Sequence, residues 1–292
     1  MAIQLVPLQE VERLSPICIR ILGGNPSKFT LQGTNTYLVG SGAQRLLIDT
    51  GEGRPSWKAA LQRTLVEEGA SVSATLLTHW HGDHVGGVKD VLCLKPPRIY
   101  KHRPDAGQIA IHDGQRFQVE GATLTAHYTP GHTADHMVFV LEEEDAMFTG
   151  DNVLGQGTAV FEDLATYLDS LEKMGGGLFG GRAYPGHGPV IEDGRARIRE
   201  YVSHRRQREE QITQTLQSVN KTAAVKGESG SGGGVAAWHP MELVRVIYAD
   251  VSEHLHAPAQ GGVVQVLHKL EKEGRAYKDD CGRWRFRDRS AL

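Results

Sequence analysis

The sequence predicts a mixed α/β fold in which helices cover packed sheets, with a small separate unit towards the C-terminal end. Three observations predict it. Apolar runs of strand length alternate with glycine-rich turns through the first half, and amphipathic helical stretches interrupt them. A Gly/Ser-rich run, "KTAAVKGESGSGGGVAA" (221–237), then divides a large stretch, 1–220, from a compact one, 238–292. At 292 residues the chain has room for one large domain with such an appendage.

"TYLVG" (36–40), "RLLID" (45–49), "ATLLTH" (74–79), "ATLTAHY" (122–128), "MVFVLE" (137–142) and "DAMFTGD" (145–151) read as strands of a buried sheet. Between them, 55–70 reads as a helix: Trp57, Ala60, Leu61 and Leu65 share one face, Pro55 opens it and Gly69 closes it. The stretch 162–177 repeats the pattern with Leu164, Tyr167, Leu168, Leu171 and Met174. From 195 to 219 runs a long polar helix with an apolar stripe of Ile198, Tyr201, Val202, Ile212, Leu216 and Val219. Its arginines (Arg195, Arg197, Arg199, Arg205, Arg206 and Arg208) read either as a basic patch for an acidic partner or, more plainly, as a solvated helix face. Past the glycine run, "HPMELVRVIY" is a helix opened by Pro240, and "GGVVQVLHKLEKEGR" is a second helix. "AYKDDCGRWRF" is a hairpin turning at Asp279–Gly282. Helices followed by a two-stranded wing resemble a winged helix, a shape that binds DNA in many proteins and braces a domain or partner in others.

A net charge of −3 offers no global attraction to nucleic acid or to a membrane surface. No segment approaches the roughly 20 apolar residues that span a bilayer, and "MAIQLVPLQEVERLSP" shows neither a secretory nor a transit pattern. Cys18, Cys93 and Cys281 lie far apart with no CxxC spacing, which argues against a disulfide framework or a thiolate metal site. They are expected as small buried side chains in a reducing compartment, and the expected location is the cytoplasm.

The chemistry concentrates in "THWHGDHVGG" (78–87), where His79, His81, Asp83 and His84 crowd into six positions. Four ligand-type side chains at x, x+2, x+4 and x+5 rarely serve packing and read as half of a metal site. "YTPGHTADH", "FTGD" and "AYPGHGP" supply the other half as His132, Asp151 and His187, each just after an apolar strand at a glycine turn. Seven nitrogen and oxygen donors hold two metal ions if one carboxylate bridges. His136 is the nearest rival to His132 but lacks the preceding glycine turn, so it is expected to support a ligand rather than be one. No GxSxG motif is present, so a serine acyl-enzyme has no support.

"THWHGDHVGG", "GHT", "GD" and "PGHG", in that order, resemble the metallo-β-lactamase superfamily, over residues 15–200. The resemblance implies an αββα sandwich in which His79, His81 and His132 hold one metal, Asp83, His84 and His187 hold the second, and Asp151 bridges. The superfamily's antibiotic-degrading members commonly use a cysteine ligand where this chain offers aspartates, which points to the glyoxalase-II-like branch. "FTLQGTNTYLVG", "LIDTGE", "TAVFEDL", "YPGHGPVI", "YVSHRRQREEQI" and "LEKEGR" are similar to the β-lactamase-like protein 2 family, with its small C-terminal winged-helix-like domain. "RILGGNPSKFTLQGTNTYLVG" with "DTGEGRPSW" looks most like that family's fungal thioesterases, which resemble atrochrysone carboxyl-carrier thioesterases. Those release an aromatic polyketide acid from the acyl carrier protein of a non-reducing polyketide synthase. The family's animal relatives look like endoribonucleases, so cleavage of single-stranded RNA is the alternative.

Two divalent ions, expected as Zn2+ with Mn2+ or Fe2+ as alternatives, would bring a water's pKa from about 15.7 to near neutral. The resulting hydroxide is expected to attack the acyl carbon, with Asp83 orienting the water and moving its proton. Asp49, in "LIDTG", is expected to orient a ligand histidine from behind. A thiol of pKa about 8.5 leaves as thiolate without much protonation, whereas a ribose alkoxide wants a general acid that the sequence does not display. That favours the thioester.

Overall fold

The structure, a computed structural model, describes residues 5–94, 96–218, 220, 237–250, 252–253 and 256–287. It divides into two compact units, Met1–Tyr201 and Val202–Leu292.

In the first unit a seven-stranded sheet runs in chain order: β1 (Val11–Ser15), β2 (Cys18–Leu22), β3 (Asn35–Val39), β4 (Gln44–Ile48), β5 (Ser71–Leu76), β6 (Arg98–Lys101) and β7 (Ile109–Ala110). Its first three pairings are antiparallel and its last three parallel. The change comes where β4 reaches β5 through α1 (Pro55–Glu67), because parallel neighbours need a crossover rather than a hairpin. The second sheet has the order β12-β11-β10-β9-β8, from β8 (Arg116–Val119), β9 (Ala122–Tyr128), β10 (Met137–Leu141), β11 (Ala146–Gly150) and β12 (Ala183–Pro185). It is antiparallel except for β11 with β12.

The two-residue period of a strand sorts the core into layers. Tyr37, Val39, Leu46, Ile48 and Leu76 of the first sheet meet Leu124, Met137, Phe139, Leu141 and Phe148 of the second. The intervening Ile19, Ile21, Leu38 and Leu47 pack instead on Trp57, Ala60, Leu61 and Leu65 of α1. Every residue of β3 is therefore buried, as expected for a strand covered on both faces. Each such aliphatic or aromatic side chain contributes about 1.5–3 kcal/mol on burial. Trp57 also donates from Nε1 to Thr36 Oγ1 at 2.9 Å, so no polar atom of the indole is left unpaired in that layer.

A second helix, α4 (Leu164–Gly175), is capped by Asp163, which accepts from Thr166 N at 2.9 Å. Its apolar face buries the residues expected from the sequence, and Tyr167 donates to the Asn152 carbonyl just past β11. Two short helices, α2 (Gly82–Val85) and α3 (Val88–Leu92), lie between β5 and β6. The long helix α5 (Gly194–Gln217) follows β12.

In the second unit α6 (Pro240–Ile247) opens with a capping box, His239 N–H donating to Glu242 at 2.9 Å. Next come α7 (His256–Lys272) and the hairpin β13 (Ala276–Lys278) with β14 (Trp284–Phe286). Asp279 accepts from Cys281 N and Arg283 N and so closes the hairpin at the turn the sequence marks. Trp238 pairs with Trp284 as a short third edge. Among the described residues no helix is long and apolar enough to cross a membrane.

Several expectations need adjustment. Strands β1, β2 and β6–β8 escape a pattern search. In β2 the buried Arg20, ion-paired with Glu12, interrupts the apolar run, and β6 to β8 are short. Helix α7 starts at His256, upstream of the expected Gly261, despite Gly261 and Gly262. Only Cys18 is buried; Cys93 and Cys281 are exposed. Among the arginines of α5, Arg197 donates to Gly157 O and Glu200 and lies over the Tyr201 ring, and Arg208 lies over that of Tyr248. The glycine-rich run 221–237, except for Ala237, lies outside the described residues, as does Val219.

Candidate metal centre

Every candidate donor sits just past the C-terminal end of a strand. β5 delivers His79 and His81, with Asp83 and His84 on the following turn of α2; β9 delivers His132, β11 Asp151 and β12 His187. Chain ends that leave a sheet at one edge converge there, and the donors fall into two groups. His79, His81, His132 and Asp151 form one; Asp83, His84 and His187 form the other. Within each group the ligand atoms lie within 4.8 Å of one another.

In the first group His81 Nδ1 lies 3.0 Å from His79 Nε2 and 3.1 Å from His132 Nε2. Tetrahedral ligands about 2.0–2.1 Å from a zinc ion stand roughly 3.3 Å apart, so the spacing suits a shared ion. Which nitrogen is bare follows from the partners behind each ring. Thr78 Oγ1 gives its proton to Asp49 Oδ2 (2.9 Å), so it accepts from His79 Nδ1 (2.9 Å) and His79 Nε2 carries the lone pair. His132 Nδ1 donates to the Val160 carbonyl at 2.8 Å, leaving its Nε2 bare in the same way.

In the second group His187 Nε2 is 3.2 Å from Asp83 Oδ2 and from Asp151 Oδ2, and 3.4 Å from His84 Nε2. Asp151 also lies 3.4 Å from His84 Nε2 and 3.7 Å from His132 Nε2, so it reaches both groups. Asp49 stands behind them. Its Oδ1 accepts from Thr78 N (2.8 Å), and its Oδ2 lies 2.7 Å from His84 Nδ1, turning Nε2 inwards. Asp49 adopts left-handed backbone (φ 57°), a conformation that aspartate enters more readily than most non-glycine residues.

Burial and charge act in opposite directions on the two groups. Burial, then neighbouring His84, holds His79 well below the ordinary imidazole range, and burial with His132 lowers His81. Burial also opposes charge on His84 and His187, but Asp151 with Asp49 lifts the first well above its usual range, and Asp151 with Asp83 lifts the second to about 9. Burial would raise the Asp83 and Asp151 carboxyls, yet His187 and His84 hold both well below the usual carboxylate range.

The donor set fits divalent metal. Asp151 Oδ1 is buried with no hydrogen-bond partner, an arrangement that costs energy unless something else meets that atom. A Cβ on Gly186 would stand 2.2 Å from Asp151 Oδ1, so only glycine lets the chain pass that close to the carboxylate.

The structure thus brings together all seven donors named from sequence and places Asp49 against His84. His136 joins neither group and supports a ligand, as expected: its Nε2 accepts the Asp151 N–H at 3.1 Å and so fixes that carboxylate's backbone. Two further residues escape sequence reasoning. Thr34 Oγ1 contacts Asp83 Oδ2 at 3.1 Å. Because Asn25 Nδ2 donates into the same oxygen (3.1 Å), the Thr34 proton goes to Asp83. Asn35 Nδ2 donates to the Pro185 and Gly188 carbonyls (2.8 and 2.9 Å), clamping the loop of His187. Their signal was the polar "TNT" that precedes the apolar "YLVG".

The family model described as "Metallo-beta-lactamase superfamily" matches residues 29–187, a span that contains all seven donors. The chain belongs to this superfamily. A second model, "Beta-lactamase associated winged helix domain", matches residues 240–284. Among superfamily relatives, "Lactamase-like protein adaB" of Aspergillus niger is 48% identical over 269 residues, covering 91% of this chain and 84% of that protein. "Atrochrysone carboxyl ACP thioesterase dmxR1" of a Cryptosporiopsis species is 51% identical over 232 residues, covering 78% and 72%. The fold is also that of a metallo-beta-lactamase family protein from Thermus thermophilus (TM-score 0.72, 22% identity, 94% of this chain and 100% of that one). A beta-lactamase domain protein from Burkholderia ambifaria shares it too (TM-score 0.74, 17% identity, 95% and 93%). These two solved structures bear on the fold alone.

Proposed function

We propose that this chain is a metal-dependent thioesterase that hydrolyses an acyl-thioester in secondary metabolism. The substrate we assign is an aromatic polyketide held on the acyl carrier protein of a non-reducing polyketide synthase. The observation that carries the reading is the double donor array at the strand ends. The relatives named as atrochrysone carboxyl ACP thioesterases supply the substrate class. His79, His81 and His132 would hold one ion and Asp83, His84 and His187 the second, with Asp151 between them. An all-nitrogen and oxygen set of this kind suits Zn2+ best, with Mn2+ or Fe2+ as alternatives.

When bound, the ions would supply Lewis acidity towards the thioester carbonyl and acidify a water molecule. The chain's own residues do the rest. Asp83, whose side chain is 24% exposed, lines the cavity over the array and is placed to orient the attacking water and take its proton. Thr34 holds the other side of that carboxylate. Water's oxygen bonds to the acyl carbon, the C–S bond breaks, and the sulfur departs as thiolate without a dedicated acid, its ordinary pKa being about 8.5. We assign residues 1–220 to the catalytic domain, 221–237 to a linker and 238–292 to the winged-helix-like domain. All donors lie within the first compact unit. We place the enzyme in the cytoplasm.

The test is turnover of an acyl-thioester and of a single-stranded RNA, side by side, by the metal-loaded protein. The reading expects thioester hydrolysis that a chelator abolishes. Metal-dependent RNA cleavage with the thioester untouched would replace it by an endoribonuclease.

A further inference from the structure

A cavity of about 660 Å3 opens over the donor array, and two chain segments bound it. One carries Phe29 and Leu31, the other Leu154, Ala159 and Val160. Phe29 is 75% exposed and Val160 65% exposed, and with Leu31, Leu154 and Ala159 they give the cavity an apolar rim of the kind that marks a ligand-binding groove.

The segment bearing Phe29 is tightly wound. Ser27 Oγ accepts from Phe29 N (3.2 Å) and Thr30 N (3.1 Å), Ser27 N donates to the Leu31 carbonyl (3.2 Å), and Thr30 Oγ1 donates to the Asn25 carbonyl. These bonds use the turn's own polar groups, so what Phe29 presents to the cavity is a ring held on a stiff support. Through Asn25, Thr34 and Asp83 the turn is tied to the second donor group. The opposite dependence holds for Val160, whose carbonyl accepts from His132 of the first group. The ring and the isopropyl group therefore belong to different ends of the array.

Surfaces that offer contact rather than hydrogen-bond partners recognise a flat apolar group by stacking and burial. Lys28 Nζ lies 5.9 Å from the Phe29 ring centroid and has no ion pair among the described residues, so a cation stands ready beside the ring for an anionic oxygen. We infer that Phe29 and Val160 form the acyl subsite, which takes an aromatic acyl group and selects it over short aliphatic chains. This inference rests on the thioesterase reading and adds the residues that set its selectivity.

The test compares the N-acetylcysteamine thioesters of naphthoic and acetic acid, with wild type, F29A and V160A as metal-loaded full-length proteins. A non-hydrolysable naphthyl thioether serves as a calorimetric probe. Wild type should prefer the naphthoyl thioester. F29A should lower the naphthoyl-to-acetyl ratio of kcat/KM on the order of tenfold, chiefly through KM, and weaken the thioether by a similar factor. V160A should lower the ratio by a smaller factor. Equal losses on both thioesters, or a wild type with no preference, would overturn the subsite and leave the thioesterase reading standing. A wild type that hydrolyses neither thioester defeats the thioesterase reading itself. Loss of RNA cleavage in F29A with the thioester ratio unmoved would overturn the subsite in favour of base stacking.

Discussion

The two donor groups share a ten-residue stretch, 78–87, yet they are prepared in opposite ways. The first is held by neutral partners, a threonine hydroxyl behind His79 and a backbone carbonyl behind His132, and burial keeps His79 and His81 uncharged. The second is held by charge: Asp49 and Asp151 bracket His84, and Asp83 and Asp151 bracket His187, so both imidazoles are driven towards the protonated form. Protons there balance carboxylates that a cation would otherwise balance. The difference teaches that the histidines of the first group are set by ring orientation, with Asp151 the one carboxylate among them. The second depends on carboxylates that must themselves be kept in place, by Thr34, by Thr78 and by the Asn35 clamp on the His187 loop.

Variants break this comparison at graded points. D151A removes the one carboxylate that reaches both groups. Bound metal should fall well below that of wild type in elemental analysis, and thioester turnover should drop to background. D83N keeps the size and the Thr34 contact but loses the charge that takes the water's proton. Turnover should fall by about two to four orders of magnitude while the thermal unfolding midpoint stays near that of wild type. Wild-type turnover in D83N would move the proton transfer to another group. D49N loosens His84 directly and His79 only through Thr78. A chelator-competition titration should show affinity for the second group's ion falling about 10–100-fold and that for the first group's ion falling less, whereas equal weakening of both would erase the contrast between the groups. T34V, which keeps the shape and deletes only the hydroxyl, should weaken the same ion by about tenfold at most, and T34S should restore it.

The donors were legible because metal chemistry needs particular side chains at particular spacings, and because His132, Asp151 and His187 each follow an apolar run that ends at a glycine turn. "ATLTAHY" reads as the strand it is for the same local reason. What escaped depends on contacts between residues far apart in the chain. Thr34 meets Asp83 across 49 positions and Asn35 meets Pro185 across 150, and neither distance leaves a periodic trace. His136 could be set aside as a ligand, but that its Nε2 accepts the Asp151 N–H is visible only once β10 and β11 are paired. Strand β2 was missed because Arg20 in its centre reads as surface until Glu12 of β1 is seen beside it. Phe29 stands in a stretch with no periodic pattern of its own. Its place beside the donors follows from the Asn25–Thr34–Asp83 chain of hydrogen bonds.

The central claim is that the two groups hold one ion each and that hydrolysis depends on them. Stepwise titration of the metal-free protein with Zn2+, with acyl-thioester turnover followed at each step, tests it most directly. The account predicts two binding events per chain and full turnover only after the second. Undiminished hydrolysis by the metal-free protein, or saturation at a single ion, would contradict it.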